Sequence, residues 1–394
     1  MKHIRREQFI WDFLNQGVIP VCYEKVSINH TDYLNKDAKA TQNQVLYVSL
    51  VPTYLNYKLV NHDLYNSLKV VHKGKDGAGI FIDGPYTIDA YLEKFTKKQL
   101  RINLKRAISR LETSFNISYE YNFGDISEEK CDFLLSELRA MLIKRFSEKK
   151  TENMFLREWD MHTKNLAKQI NNKKASLFVI YSDKSPISIS LNVHINDTML
   201  MAKTNAYDTA YSKFSLGHLD NYILLDWCLK NNYNVLDLGF GIMEYKMKWC
   251  NVFYNFEYHI YYKKHSILAK AIAAIEVKKI QLKNKIKTLN IKERVLRLKS
   301  FLKTPEQTEV TPFRPSYVLE VVASNDQYKA SDLKNIDITS PAFDVLKQPV
   351  YEYLYSNQLH MDSISVYKIV NEAHSYILKT GSNLIKINIL GHEN

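Results

Sequence analysis

Glycine is scarce in this chain of 394 residues, yet three of its eleven glycines fall in one stretch, YSKFSLGHLDNYILLDWCLKNNYNVLDLGFGIMEYKMKW, from Tyr211 to Trp249. They bracket a helical pattern. Gly217 precedes the apolar positions Leu219, Tyr222, Ile223 and Leu229, while Gly239 and Gly241 close the short apolar strand NVLDLG. Glycine loses more backbone freedom on folding than any other residue, so its use here marks places where the chain turns sharply or lets something approach its backbone. A helix start carries unpaired N–H groups and a partial positive charge, which stabilises an anion without a basic side chain. Gly217 leaves room for a phosphate at such a start, and Ser215 can cap the helix or bond the phosphate. Past the strand, Glu244, Tyr245 and Lys246 stand together. Functional residues of open sheets collect at such strand ends, and a carboxylate, a phenol and an amine in one cleft are groups that move protons.

The surrounding pattern predicts an α+β fold. Residues 1 to about 115 alternate short strands (Gln44–Val51, Gly77–Tyr86) with helical patterns, including a start at the N-terminus and a long basic helix over Asp89–Ser114. A strand at Asn116–Phe123 and a helix at Ile126–Lys149 follow, the latter with Ser127 as N-cap and Glu128 and Glu129 in its first turn. A helix over roughly Phe155–Asn171 then leads into ASLFVIYSDKSPISISLNVHINDTMLMAKTNAY, which reads as three strands joined by tight turns at SDKSP and IND. The helix at Gly217–Asn231 and strands at Asn234–Leu238 and Phe253–Tyr262 complete a mixed sheet. Asp237 inside its apolar strand is expected to bond the neighbouring turn or Lys246, and His194 to face solvent.

Residues 263–303 form a long basic helix, 304–315 a linker with three prolines at its Lys303–Pro315 margin, and 316–394 a small α/β appendage with strands at Tyr317–Val322 and Leu384–Leu390 and a helix at Ser363–Leu378. The chain's formal charge is +12, and residues 262–303 alone contribute thirteen Lys or Arg against two Glu, Glu276 and Glu293, so the basicity is local. Leu268, Ile272, Ile275, Leu282, Ile286, Leu289 and Leu296 sit on a heptad grid there. Such a helix can pack on the protein body or a twin chain, lie on anionic lipid, or contact RNA. No stretch reaches the ~20 apolar residues of a membrane-spanning helix. The four cysteines, Cys22, Cys131, Cys228 and Cys250, lack metal-site or disulfide spacing, and the histidines are scattered, so neither a metal nor a disulfide framework is expected and the protein is expected in the cytoplasm.

The run from Tyr207 to Trp249 resembles the GNAT-type acyltransferases, and more closely the CelD-like branch (cellulose-biosynthesis, BioF-like acetyltransferases) related to the FemAB transferases. That branch shows a strand tyrosine, a YSPG turn opening a helix, and a strand ending DFG.GD..YK..W. The matching residues here are Tyr207, Tyr211, Ser215, Gly217, Asp237, Gly239, Gly241, Tyr245, Lys246 and Trp249, with Leu216 in place of the proline and Ile242 in place of the acid, Glu244 lying close by. The resemblance covers residues 90–262.

It implies a tandem GNAT-like fold of mixed β-sheets with flanking helices: a GNAT-like half over 1–125, a GNAT acyltransferase domain over 126–262, then the long basic helix and the appendage. It implies acetyl-CoA or another acyl-CoA as co-substrate, without a metal, and an amine acceptor. The pantetheine arm would enter between splayed strands at Thr198–Asn205 and Asn234–Leu238. Phe214, Ser215, Leu216, Gly217, His218 and Leu219 would hold the cofactor, its pyrophosphate on Leu216–Leu219. Glu244 would serve as base, Tyr245 as acid and Lys246 as charge clamp. The acceptor expected is a small or sugar-derived precursor of the cell envelope or a polysaccharide, with work at the inner membrane face. The alternatives are an aminoacyl-tRNA donor, as in FemAB proteins, or a GNAT-fold binding protein without turnover.

Overall fold

The computed structural model describes residues 3–14, 16–40, 42–148, 151–288, 316–322 and 328–390. In chain order its elements are β1 (Ile4–Gln8), β2 (Tyr23–Ile28), β3 (Thr31–Leu34), β4 (Val45–Pro52), β5 (Asn56–Leu59), β6 (Tyr65–Phe81), α1 (Ile88–Phe95), α2 (Lys98–Ser114), β7 (Ile117–Asn122), α3 (Glu128–Glu148), α4 (Met154–Arg157), α5 (Trp159–Thr163) and α6 (Leu166–Asn171). There follow β8 (Ala175–Ser182), β9 (Ser185–Ile195), β10 (Met199–Tyr207), α7 (Leu216–Lys230), β11 (Val235–Phe240), α8 (Glu244–Met247), β12 (Val252–Lys263) and α9 (Ile267–Thr288). The C-terminal part holds β13 (Ser316–Val321), β14 (Leu333–Ile336), α10 (Asp344–Asn357), β15 (Ile364–Ile369), β16 (Ser375–Thr380) and β17 (Asn383–Leu390).

These elements form two compact units that interleave along the chain: Met1–Lys97, Asn192–Lys203 and Leu224–Thr308 make the first, and Lys98–Leu191, Thr204–Ile223 and Glu309–Asn394 the second. The chain thus passes from one to the other between α1 and α2 and inside β9, β10 and α7.

In the first unit the strands run in the order β1-β4-β12-β6-β11-β10, with a small β3-β2-β5 sheet beside them in sequence. The β1–β4 and β10–β11 pairs are parallel and the others antiparallel. The core is strongly aromatic: Phe9, Phe13, Tyr23, Tyr254, Phe256 and Tyr261 join Val26, Val48, Val193 and Met201. Tyrosines can be buried there because each hydroxyl finds a partner, as Tyr23 does with His259 Nδ1 at 3.3 Å. The helical start expected at the N-terminus is instead β1 followed by a single π-turn over Ile10–Leu14. Residues Arg5 and Arg6 put their backbone into a ladder opposite Leu46 and Tyr47, and that pairing overrides the weak helical pattern. On α9, Ala269, Ala273 and Ile280 pack with Val45 and Ile260, and Glu276 is buried against Arg6 at 2.9 Å. The part of the expected helix beyond Thr288, and the linker, lie outside the described residues.

In the second unit the order is β10-β9-β8-β7, and α3 and α6 supply Leu134, Leu138, Leu142, Leu166 and Ile170 to a core shared with Leu177, Val179, Ile189 and Leu191. Ser127 caps α3 as its sequence predicts, accepting from Lys130 N at 3.2 Å. Two long helices of the sequence reading are broken. The pattern over Asp89–Ser114 divides into α1 and α2 because the Thr96 hydroxyl bonds back to Leu92 O at 2.6 Å and its backbone turns extended. That over Phe155–Asn171 divides into α4, α5 and α6, with Asn165 in the left-handed region at φ 57. The C-terminal residues of this unit form a five-stranded sheet, β13-β17-β16-β15-β14, with α10. The helix expected at Ser363–Leu378 is the β15–β16 hairpin, since Ile364 and Val366, then Tyr376 and Leu378, repeat with the period of strands around a turn at Asn371–His374. The helix lies earlier, at Asp344–Asn357, where the internal Pro349 hid it.

Candidate active site

Within the first unit β10 and β11 pair through three residues, Met199 with Val235, Leu200 with Leu236 and Met201 with Asp237. From Ala202 and Leu238 onward they share no ladder partners among the described residues, while β11 stays on β6 through a bulge that sets Phe240 opposite Gly77. The amide of Gly239 is taken by the side chain of Asp237 at 2.7 Å instead of by a neighbouring strand. The two strands remain close just past that point, where a Cβ on Gly239 would stand 3.8 Å from Ala202 O, but the end of a ladder leaves backbone donors and acceptors that an extended ligand can use. Lys203, two residues beyond the last pair, is desolvated, and burial drops its amine to about 8.

Asp237 organises the exit of β11. It is fully buried and takes three donors: Gly239 N, the Tyr254 hydroxyl at 2.7 Å and the Tyr54 hydroxyl at 3.0 Å. Burial pushes its carboxyl up, against those hydrogen bonds and the Lys246 charge. Gly239 and Gly241 then adopt φ 71 and φ 82, the left-handed conformations that favour glycine. Lys246 is buried and donates to Gly239 O at 3.1 Å and Phe240 O at 2.6 Å. Burial lowers its pKa, with Asp237 the leading opposing charge. The expected bond between Asp237 and its neighbouring turn is therefore present.

Glu244, Tyr245 and Lys246 share the single turn of α8, yet they face different ways. Glu244 and Tyr245 are exposed and Lys246 points inward. Glu244 pairs with Lys248 at 3.0 Å, and that hydrogen bond and charge hold its carboxyl below the usual carboxylate range.

Within the second unit, Asp208 opens a 3₁₀ turn over Thr209–Phe214 by accepting from Ala210 N at 3.0 Å. Ser215 follows at φ 55 and joins that turn to α7. Its carbonyl accepts from His218 N at 2.8 Å and Leu219 N at 3.1 Å. The amides of Leu216 and Gly217 have no hydrogen-bond partner among the described residues. Phe214, Leu216 and Leu219 are buried and anchor the turn. A Cβ at Gly217 would meet only the Tyr207 ring, at 3.6 Å, and the Arg145 guanidinium lies over that ring at 5.0 Å. Of the six residues expected to hold a cofactor, Leu216 and Gly217 present open amides, Phe214 and Leu219 are buried, and Ser215 makes the left-handed joint. The expected catalytic residues lie in the first unit and the expected cofactor residues in the second.

Several polar residues escaped sequence reasoning. Asp220, one turn into α7, is buried and accepts from Asn205 Nδ2 of β10 at 3.1 Å. Burial pushes its carboxyl up to about 6, against the pull of Ser190 and Asn205. His194 does not face solvent. It is buried with Nδ1 2.8 Å from the Tyr233 hydroxyl and its ring edge-on to Trp227, and desolvation lowers its pKa to about 3. The signal for both was the alternation Ser188, Ser190, Asn192, His194 along β9, which marks one continuous polar face. All four cysteines are buried and free. Among the described residues no group of three or more His, Cys, Asp or Glu could hold a metal, and no helix is long and apolar enough to cross a membrane.

Residues 98–247 match the family model described as the acetyltransferase (GNAT) domain. No curated protein matches the chain. Solved structures with some likeness include a conserved protein of unknown function from Bacteroides thetaiotaomicron, with 11% identity over 55% of this chain and 70% of that one, at a TM-score of 0.38. FemX shows 10% identity over 60% and 76%, at 0.40. A tandem GNAT protein from the clavulanic acid biosynthesis pathway shows 7% over 55% and 64%, at 0.29. Similarities this distant carry no weight beside the family match and the geometry above.

Proposed function

We propose that the chain, whose residues 98–247 match the acetyltransferase (GNAT) domain, is an acyltransferase that moves an acyl group, acetyl first among candidates, from acyl-CoA to an amine of a small or sugar-derived precursor of the cell envelope or a polysaccharide. The observation that carries this reading is the end of the β10–β11 ladder at Met201 and Asp237. An extended arm with amide groups, such as pantetheine, can add to an edge so freed. The open amides of Leu216 and Gly217 support a diphosphate at the start of α7. The residues Tyr207, Ser215, Gly217, Asp237, Gly239 and Gly241 support the CelD-like branch.

In this reading the acceptor nitrogen attacks the thioester carbonyl, the C–S bond breaks, the amine gives up a proton and the CoA thiolate takes one. Glu244, directly or through a water, accepts the first proton, and Tyr245 donates the second. Lys246 is committed to two main-chain carbonyls, so its task is to hold the turn that carries the pair, in place of the charge clamp expected from sequence.

The acceptor's source also suggests where the protein works. α9 packs with one face and leaves Leu268, Ile275 and Leu282 at 54%, 53% and 59% exposure, one every seventh residue. Lys278, Lys279, Lys283 and Lys285 flank this ridge, and the helix's acid, Glu276, is buried in ion pairs. An apolar ridge edged by lysines fits an anionic membrane surface.

Calorimetric titration of CoA into the full chain, with thiol release from acetyl-CoA over a panel of amino sugars, tests the reading. CoA binding with amine-dependent release supports it. CoA binding without release points to a binding protein. Absent CoA binding together with strongly salt-dependent tRNA binding replaces the donor by an aminoacyl-tRNA.

A further inference from the structure

The C-terminal residues 316–394 match no part of the family model, which ends at 247. They belong nonetheless to the same compact unit as the turn that opens α7, and α10 bears on that turn almost residue by residue. The Tyr351 ring lies 4.7 Å from Tyr211 and 4.9 Å from Phe115. Tyr355 meets Phe214 edge-on at 5.1 Å and is covered by the Arg110 guanidinium at 4.5 Å. Charges close the rim: Glu352 reaches Lys213 at 3.7 Å, and Lys144 bridges Asp344 at 2.7 Å and Asp208 at 4.0 Å. Asp208, Tyr211, Lys213 and Phe214 are thus all held, directly or through Lys144.

The held segment has few hydrogen bonds of its own, among them Tyr211 N to Asp208 O at 3.1 Å and Ser215 N to Ser212 O at 3.4 Å. Two short 3₁₀ turns meet there at a kink on Tyr211, whose angles, φ −88 and ψ 18, are not helical. Ser215 then sits in the left-handed region without being glycine. A conformation of that kind persists where its surroundings over-determine it, and the next two residues are those with open amides, Leu216 and Gly217.

We infer that α10 is a clamp for the anion-binding turn: through Tyr351 and Tyr355 it fixes Asp208–Ser215 so that the amides of Leu216 and Gly217 point outward, preorganised for the diphosphate of the donor. The clamp rests on the donor reading above for its purpose but not for its existence. Tyr351 is accordingly a positioning residue. Losing it lets the turn sample other states, and the apparent affinity for donor falls in proportion to the competent fraction, while the chemistry at bound donor is unchanged.

The test uses the full chain with Tyr351→Ala, and with Tyr351→Phe as the conservative rescue. Three quantities are read: hydrogen exchange of the peptide covering residues 209–219, the dissociation constant for CoA, and KM against kcat for acetyl-CoA. If a tenth of the molecules keep the turn, exchange there quickens and both the Kd and KM rise about tenfold, with kcat within about twofold. Tyr351→Phe returns all three close to the parent values. A folded Tyr351→Ala protein whose exchange at 209–219 matches the parent overturns the clamp, and so does equal loss in kcat and affinity with exchange raised everywhere. Should Tyr351→Ala fail to fold, Arg110→Ala, which uncovers Tyr355 at the rim, is read by the same exchange window. A parent protein that binds no CoA removes the donor reading, and the exchange comparison still decides whether the clamp exists.

Discussion

The Tyr254 hydroxyl reaches both carboxylate oxygens of Asp237, at 2.7 and 2.9 Å, inside the first unit's sheet. With Tyr54 and the Gly239 amide it satisfies a buried acid at the point where β11 leaves the ladder. Tyr254→Phe keeps the ring and removes one of those donors, so a cost of about 1–3 kcal/mol is expected in urea unfolding. Gly77 lies against the same ring, and a Cβ there would run into it. Gly77→Ala should therefore cost about 1–3 kcal/mol by overpacking, and the two substitutions should combine non-additively, since each moves the same ring. Simple additivity would mean that the ring and its hydroxyl do not act together.

Two buried histidines set a pH dependence. Desolvation lowers His194 to about 3, and desolvation followed by the charge of Lys69 lowers His259 to about 3. In the unfolded chain each has a pKa near 6.5, so between about pH 3 and 6.5 the unfolded state binds more protons than the folded one. Stability from these groups is complete above pH 6.5 and falls as the pH drops. From pH 7 to pH 5 the expected loss is about 2 kcal/mol per histidine. His194→Gln should flatten the urea-midpoint profile over that window. An unchanged slope would show that His194 titrates in the folded protein as it does in the unfolded chain.

These two groups also show where sequence reasoning stopped. The strand–helix–strand run from β10 to β11 was legible because glycine and apolar spacing are local signals, and Asp237 stood out as a lone acid in an apolar strand. His194 was misplaced because an alternating strand shows that it has two faces but not which of them a helix will cover. The breaks at Thr96 and Asn165 depend on a single side-chain bond and a single left-handed residue, which periodicity does not register. Tyr54 and Tyr254 meet Asp237 from 183 and 17 residues away, and no spacing rule announces such a meeting. The helix Asp344–Asn357 was lost to Pro349 and the hairpin after it to a helical reading of its apolar residues.

Gly217 gives the sharpest separation of fold from ligand binding. Its φ is not in the left-handed region, and an added Cβ would stand in ordinary contact with Tyr207. Gly217→Ala should fold as the parent does. Gly217→Trp should also leave the free protein folded, because the residue is only partly buried, while its side chain covers the open amides. At one hundred times its Kd, CoA should stabilise the parent by about 2.7 kcal/mol, and Gly217→Trp should lose that gain in a thermal-shift measurement. An undiminished gain in Gly217→Trp would move the diphosphate away from the start of α7.

The outward ridge of α9 predicts membrane association that depends on charge as well as on apolar area. The residues that pack α9, Ala269, Ala273 and Ile280, are distinct from Leu268, Ile275 and Leu282, so Leu268→Ser, Ile275→Ser and Leu282→Ser together should spare the fold. Each basic residue near an anionic surface contributes about 1 kcal/mol at most at physiological ionic strength. Sedimentation with vesicles containing phosphatidylglycerol should accordingly retain the parent, release it as salt is raised, and release the triple variant at low salt. Vesicles of phosphatidylcholine alone should retain neither. If instead the parent is a dimer in solution and the triple variant a monomer, with no vesicle binding by either, the ridge is a seam between two copies, because a heptad of apolar residues buries itself equally well against its own twin.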